Sequence, residues 1–366
     1  RFTTMNFNVS CSNIMFSIQQ TRVIPGLLIF IAGVLAGCSG QTGISYPESS
    51  ISGSTMGTTY HIKMVDTLIT ESQIRATQLR VDSLLLAINQ SMSTYIPTSE
   101  ISRFNQSTEI NSPMKISPQF AVVLKSSLDI GHLSGGAFDI TVMPLVNFYG
   151  FGFKKAAAHL PTTHELDSLK RFVGMQHLMF TDSTISKDTP ELSLDLSAIA
   201  KGFGVDAVSD FLAASGFENT MVEIGGEVVC CGYNKNGKSW QIGIDRPYFG
   251  EKPGEILQHV VALSNYAIAT SGDYRNYRDV DGTRISHTID PRTGKPISHQ
   301  LASVSILAKT CMLADGTATA VMVMGDVEGL KWLEATPEIE GLLIVRLSDG
   351  SFREFLTSGF NQFLVH

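Results

Sequence analysis

Asp315 and Thr319 stand four residues apart in the run L-A-D-G-T-A-T-A-V-M-V-M (Leu313–Met324), so on a helix their oxygens project from one face. Hard oxygen donors in that arrangement suit Mg²⁺, which takes few protein ligands and completes its octahedron with phosphate and water. The same Asp would equally serve as the N-cap of a buried helix. Leu194–Gly204 (L-D-L-S-A-I-A-K-G-F-G) offers a second piece of phosphate chemistry. Asp195 or Ser197 is expected to cap a helix there, leaving amides free for a phosphate and Lys201 one turn inside. It is not a Walker P-loop, because the glycine spacing before the lysine is absent. In Ser134–Pro144 (S-G-G-A-F-D-I-T-V-M-P) paired glycines let backbone approach a ligand closely, with Asp139 following. Ser286–Pro296 (S-H-T-I-D-P-R-T-G-K-P) sets His287 on a strand leading into an Asp-Pro-Arg-Thr-Gly turn. A histidine titrates near neutrality and can act as a general base, though a lone one before a turn is more often structural or merely exposed. Ile224–Val228 (I-G-G-E-V) reads as a Gly-Gly hairpin or bulge, and Ala269–Tyr277 (A-T-S-G-D-Y-R-N-Y) as another polar cluster. Asp279–Thr283 opens like a calcium loop, but Arg284 stands where that loop requires glycine, and a hairpin turn fits better.

These segments need a scaffold. Gly57–Val65 alternates like a strand, Glu71–Ile88 and Pro118–Ser134 carry apolar residues at helical spacing, and a loop then helix fills Asp195–Ser215, stopped by Gly216. Strands are predicted near Met221–Glu223, Glu227–Gly232, Trp240–Asp245, Val260–Ser264, Tyr266–Ser271, Arg284–Ile289, Ala302–Leu307 and Leu342–Arg346. Helices and strands mix without a strict βαβ repeat, so the expected class is α+β with a mixed, largely antiparallel sheet and packed helices in a single catalytic domain.

The chain has 366 residues, 43% hydrophobic and 17% charged, which is globular composition with ample apolar surface for a core. A formal charge of −7 argues against broad nucleic-acid binding but leaves room for a nucleotide held by a metal and backbone amides. The N-terminus is distinct. Ile24–Ala36 is an uncharged apolar run behind Arg22, of signal-peptide rather than membrane-span length, and it ends L-A-G-C at Leu35–Cys38. That resembles a bacterial lipobox, with Cys38 acylated as the mature N-terminus; Met5 or Met15 would be the start. Residues 1–37 are thus expected to be a lipoprotein signal peptide, 38–50 a polar tether and 51–366 the catalytic domain. The expected location is the bacterial cell envelope, lipid-anchored to a membrane and facing the periplasm. Adjacent Cys230 and Cys231 should face opposite sides of a sheet as small buried hydrophobes.

Taken in order, the segments resemble the ApbE family, the FAD:protein FMN transferases, from about Thr55 to the C-terminus. The resemblance is carried by T-M-G-T-T-Y (Thr55–Tyr60), M-S-T-Y (Met92–Tyr95), S-R-F-N (Ser102–Asn105), G-G-A-F-D-I-T-V-M-P-L-V-N-F-Y-G-F-G (Gly135–Gly152) and the motifs quoted above. It implies an ApbE-like, T-fold-related domain that takes FAD as substrate with Mg²⁺. It also implies flavin-nucleotide contacts from Met56, Tyr95, Ala137, Phe138, Asp139, Asp195, Lys201 and Ile289. Asp315, Thr319 and the backbone carbonyl of Ala198 would hold the metal, and His287 would be the catalytic histidine. Some members carry a second aspartate just before the threonine; here that position is Ala318. The implied reaction moves FMN from FAD onto a Thr or Ser hydroxyl of an exported or membrane redox protein and releases AMP. Hydrolysis of FAD to FMN and AMP by the same site is the competing chemistry, and a non-catalytic flavin-binding lipoprotein the competing class.

Overall fold

A computed structural model describes residues 45–66, 68–152, 159–248, 254–273, 277–280 and 283–365. Cys38, the apolar run before it, and Cys11 lie outside the described residues. Eight strands form one sheet: β1 (Glu48–Thr55), β2 (Thr58–Val65), β3 (Thr220–Ile224), β4 (Glu227–Cys231), β5 (Tyr266–Gly272), β6 (Leu301–Ala308), β7 (Glu340–Arg346) and β8 (Phe352–Leu356). Their order across the sheet is their order along the chain, and every neighbouring pair is antiparallel. The expected α+β class with an antiparallel sheet is therefore what the chain adopts, as a meander broken by excursions.

The longest excursion, between β2 and β3, holds α1 (Glu71–Met92), α2 (Glu100–Gln106), α3 (Pro118–Leu133), α4 (Met143–Tyr149), α5 (Thr163–Lys170) and α6 (Ala200–Ala214). It also holds a three-stranded sheet of Met114–Lys115, Thr184–Lys187 and Leu178–Phe180. Between β6 and β7 come α7 (Cys311–Met324) and α8 (Asp326–Glu334). Local chemistry sets the helix starts: Thr70 and Gln73 close a capping box on α1, and Ser99 and Ser117 cap α2 and α3.

The helices cover one sheet face. Tyr60, Ile62 and Met64 of β2, Val222 and Ile224 of β3 and Val229 of β4 pack against Val81, Leu85 and Ile88 of α1 and Val205, Val208 and Leu212 of α6. On the opposite face Val228, Cys230, Ile268, Leu307, Leu342 and Ile344 meet a hairpin of Trp240–Asp245 with Leu257–Leu263. Strand alternation thus sends Cys230 to one core and Cys231 to the other, where its Sγ lies 3.5 Å from Ser209 Oγ of α6. Both are buried, and neither is in a disulfide. Nearly every residue of α7 is buried, wedged between α6 and the β5–β6 part of the sheet. Such a helix can be moved only by moving its neighbours.

Two differences from the sequence reading are physical. Strand β1 begins at Glu48, paired with Val65, so the end of the stretch read as tether belongs to the sheet. E-S-S-I-S-G-S-T carries almost no apolar signal, and only Ile51 and Thr55 of it are buried. The predicted strand Arg284–Ile289 is instead two short pieces, Thr283–Ser286 and Ile289–Asp290, each in its own hairpin. No helix among the described residues is long and apolar enough to cross a membrane.

Candidate active site

Helices α6 and α7 meet through their backbones. Gly202 N–H of α6 donates to Asp315 Oδ2 of α7 at 3.0 Å. In return Asp206 of α6 accepts the Cys311 and Met312 N–H groups at the start of α7, at 2.8 Å each. Only a glycine allows this approach: a Cβ on Gly202 would lie 2.4 Å from the Cys311 carbonyl oxygen. The cap of α7 is Thr310, so Asp315 lies inside the helix and is not its N-cap. Thr319, one turn on, has its Oγ1 3.4 Å from Ser271 Oγ of β5. The sequence expectation that Asp315 and Thr319 share a helix holds.

Lys201 occupies the first turn of α6, earlier than expected, and neither Asp195 nor Ser197 caps that helix. Ile199 stands at the N-cap, with no side-chain cap bond. Asp195 is engaged further upstream: its N–H donates to the Ile140 carbonyl at 2.7 Å and its Oδ1 accepts the Ser197 N–H at 2.9 Å. Gly202 N–H, the ordinary helical partner of the Ala198 carbonyl, is given to Asp315 instead. That leaves the Ala198 carbonyl oxygen open to another partner beside Asp315.

The charge balance is unusual for a buried place. Lys201 Nζ pairs with Glu227 Oε1, and Glu227 is nearly fully buried at the head of β4. Burial alone would lower the Lys201 pKa, but the charges of Asp315 and Glu227 outweigh it and raise it. Burial pushes up the Asp315 carboxyl, against the pull of Lys201 and Gly202, and pushes up Glu227 against Lys201. Glu227 Oε2 is buried without a hydrogen-bond partner. Two carboxylates facing one ammonium have room for one more positive charge.

The Ser134–Pro144 segment lies alongside. Gly135 and Gly136 take left-handed conformations (φ 60° and 82°), and Phe138 N–H donates to Ser134 Oγ at 3.1 Å. Asp139 Oδ1 accepts the Thr141 N–H at 2.8 Å and the Thr141 hydroxyl at 2.6 Å, while burial raises its pKa. Burial raises Asp195 likewise. Ala137 and Phe138 are 1% and 2% exposed, and Phe138 packs into the main core with Ile130 and Ile140.

Two hairpin tips, Met56-Gly57 and Gly225-Gly226, complete this side of the site. All four residues have positive φ, the pattern of a tight two-residue turn, and Gly225 N–H donates to the Thr59 carbonyl at 3.1 Å. Met56 is a non-glycine residue there (φ 50°), and its side chain reaches α6 at Gly204. His287 follows the Thr283–Ser286 strand, half-buried, with its ring 6.3 Å from Phe151 at 70°. Flanking Ile285 and Ile289 are buried with Leu145, Tyr149, Leu166 and Val173, so Ile289 anchors the histidine's segment and its side chain faces that core. Tyr95 is 72% exposed on the turn after α1.

This geometry can be set beside known proteins. The model of the ApbE family matches residues 56–343. The chain belongs to the ApbE family. It is 45% identical to the FAD:protein FMN transferase of Vibrio cholerae over 90% of this chain and 96% of that one. The Haemophilus influenzae protein of the same name is 40% identical, over 90% and 94%. Among solved structures, flavin transferase ApbE from Vibrio cholerae superposes with a TM-score of 0.78, covering 87% of this chain and all of that one at 45% identity. The apo Pseudomonas stutzeri flavinyl transferase ApbE gives 0.77 at 32% identity, over 87% and 97%.

Within this ApbE chain no group of three or more His, Cys, Asp or Glu among the described residues is arranged to hold a metal. A cation would instead find mixed hard oxygens: the Asp315 carboxylate, the Thr319 hydroxyl and the freed Ala198 carbonyl. These fit a small divalent ion that keeps open positions for phosphate and water. Sequence reasoning assigned no role to Glu227, Asp206, Asn105 or Thr141. Glu227 had a readable signal: it is the lone charge opening the apolar strand E-V-V-C-C, in register with helix-facing Val229. Asn105 clamps the approach to Asp195, accepting the Leu194 N–H at 2.7 Å and donating to its carbonyl at 2.9 Å.

Proposed function

We propose that this chain is a Mg²⁺-dependent FAD:protein FMN transferase. The observation that carries the reading is the α6–α7 junction, where Asp315, the unpaired Ala198 carbonyl and Lys201 converge within an ApbE chain. Relatives aligned over nearly their full length bear the name of this reaction.

Mg²⁺, held by Asp315, Thr319 and the Ala198 carbonyl, would neutralise charge on the FAD pyrophosphate. Lys201 adds a fixed positive charge on the phosphate side. Met56, Asp139, Asp195, Tyr95 and the Ala137–Phe138 segment bind and orient the dinucleotide, and Ile289 braces the segment bearing His287. His287 accepts the proton of a Thr or Ser hydroxyl on the acceptor protein. The hydroxyl oxygen forms a bond to the FMN-side phosphorus, the bond to the bridging oxygen breaks, and AMP leaves with that oxygen.

The chain works at the cell envelope in this reading, anchored through lipid on Cys38 and facing the periplasm, with an exported or membrane redox subunit as acceptor. The apolar run to Ala36 and the L-A-G-C sequence support that placement. The test incubates purified protein with FAD, Mg²⁺ and a candidate acceptor, reading acceptor mass and free AMP. An FMN mass gain with AMP supports transfer, and AMP without a mass gain points to hydrolysis. Loss of both in His287→Ala, by about 10²–10⁴-fold, is expected if the imidazole is the base. Undiminished transfer removes His287 from the mechanism.

A further inference from the structure

Glu227 takes no part in the step above, yet it is 3% exposed and directed at Lys201. Building on the reading of Asp315 and Thr319 as metal ligands, we infer that Glu227 is a positioning residue: its pairing with Lys201 holds the ammonium off Asp315 and keeps that carboxylate available to the divalent cation.

Lys201 carries a point charge on a flexible stem and will settle on the nearest anion. Two anions act on it, Glu227 and Asp315. Asp315 alone could partner the lysine, so a second buried carboxylate becomes necessary only if Asp315 is reserved for something else. Burying Glu227 is costly: Oε2 has no hydrogen-bond partner, and an apolar residue would fill the place without that cost. The fold nevertheless fixes it there. The Gly225-Gly226 turn closes β3 onto β4 at Ile224↔Glu227, and strand alternation puts Glu227 on the helix side with Val229 and Cys231. Without it, an ammonium on Asp315 would compete with the metal for the same carboxylate, whose Oδ2 is already committed to Gly202.

The test titrates Mg²⁺ alone into wild type, Glu227→Gln, Lys201→Gln and the double variant, reading heat of binding and Mg²⁺-dependent change in Tm. The Mg²⁺ activation constant of AMP release is measured beside them. Glu227→Gln is expected to weaken Mg²⁺ binding about tenfold, with kcat at saturating Mg²⁺ within about threefold of wild type. Removing the competing ammonium as well should restore the Mg²⁺ affinity in the double variant, which a merely structural role of Glu227 would not do. Unchanged Mg²⁺ affinity in Glu227→Gln overturns the inference, and so does a double variant as weak as Glu227→Gln, which would make Glu227 itself a ligand. Should Glu227→Gln fold poorly, Lys201→Gln decides: it must bind Mg²⁺ at least as tightly as wild type, and weaker binding overturns the inference. A wild type that binds no Mg²⁺ and releases no AMP sinks the functional reading first, and this inference with it.

Discussion

Gly202→Ala is the sharpest probe of how the site is held. The added methyl would lie 2.4 Å from the Cys311 carbonyl oxygen, 2.7 Å from its carbon and 2.8 Å from Asp315 Cβ. Ordinary contact needs about an ångström more, and the first two obstacles are backbone of a helix buried along most of its length. Relief must come from separating α6 and α7. Overpacking of this kind costs about 1–3 kcal/mol. Separation also breaks the charge-assisted Gly202–Asp315 bond, worth about 1.5–3 kcal/mol. Replacing a helical glycine recovers about 0.5–1 kcal/mol. The net loss is about 2–5 kcal/mol, which lowers Tm by roughly 3–8 °C in a domain of this size. A shift of about 1 Å at Asp315 should lower the rate of AMP release by about 10²-fold.

Gly204→Ala is the matched control on the same helix. Its methyl would meet Met56 Cε at 2.9 Å and Ile224 Cδ1 at 3.4 Å, and the first is the free end of a flexible side chain. The helix-propensity gain is the same, so the expected change in stability is within about 1 kcal/mol, with the effect appearing in the KM for FAD. Thermal melts and AMP release at saturating FAD and Mg²⁺ separate the two variants. A Gly202→Ala protein that melts and turns over like wild type, or like Gly204→Ala, would refute the argument from backbone contact.

Two further outcomes follow from the approach to Asp195. Asn105→Ala strips the Leu194 N–H and carbonyl of their partner and should cost about 1–3 kcal/mol in denaturant melts, with weaker FAD binding read by calorimetry. Lys187, 1% exposed, donates from Nζ to the Pro190 and Leu192 carbonyls at 2.9 Å each, and burial lowers its pKa to about 8 from the ordinary 10.5. Between those values the unfolded chain keeps a proton that the folded chain has shed, so stability rises with pH across that window. Lys187→Met should lack this rise in melts at pH 7.5 and 10, and an identical pH profile in both proteins would contradict it.

How much of this was legible in the sequence depended on where each signal resides. Periodicity located α1 and α3 because each buries one face, and alternation located β2, β4, β5, β6 and β7 because their neighbours cover them. It missed β1, whose side chains are mostly exposed and whose pairing is backbone alone. It missed α2, α4, α5 and α8, which at seven to nine residues are too short to show a stripe. The helix start near Asp195 was misread for a related reason. Ser, Asp and Thr before an apolar run signal a cap, but here the Asp195 carboxylate is taken by the Ser197 N–H before the helix begins.

The site divides along the same line. Asp315 and Thr319 were readable because their spacing is itself the geometry: one turn of one helix. What a spacing cannot carry is a relation between elements far apart in the chain. Gly202 and Asp315 are bonded across the α6–α7 crossing, and Lys201 and Glu227 across the helix–sheet boundary. The I-G-G-E turn shows why this matters. Read locally, its glycines explain themselves as a hairpin and its glutamate is surplus. In the folded chain the glycines have a second consequence: by fixing where β4 begins, they decide that Glu227 and not Val228 faces α6. Shifting that register by one residue would turn the carboxylate to the opposite core and leave Lys201 with Asp315 as its remaining partner. The turn is therefore part of the electrostatics of the site, although neither glycine bears a charge.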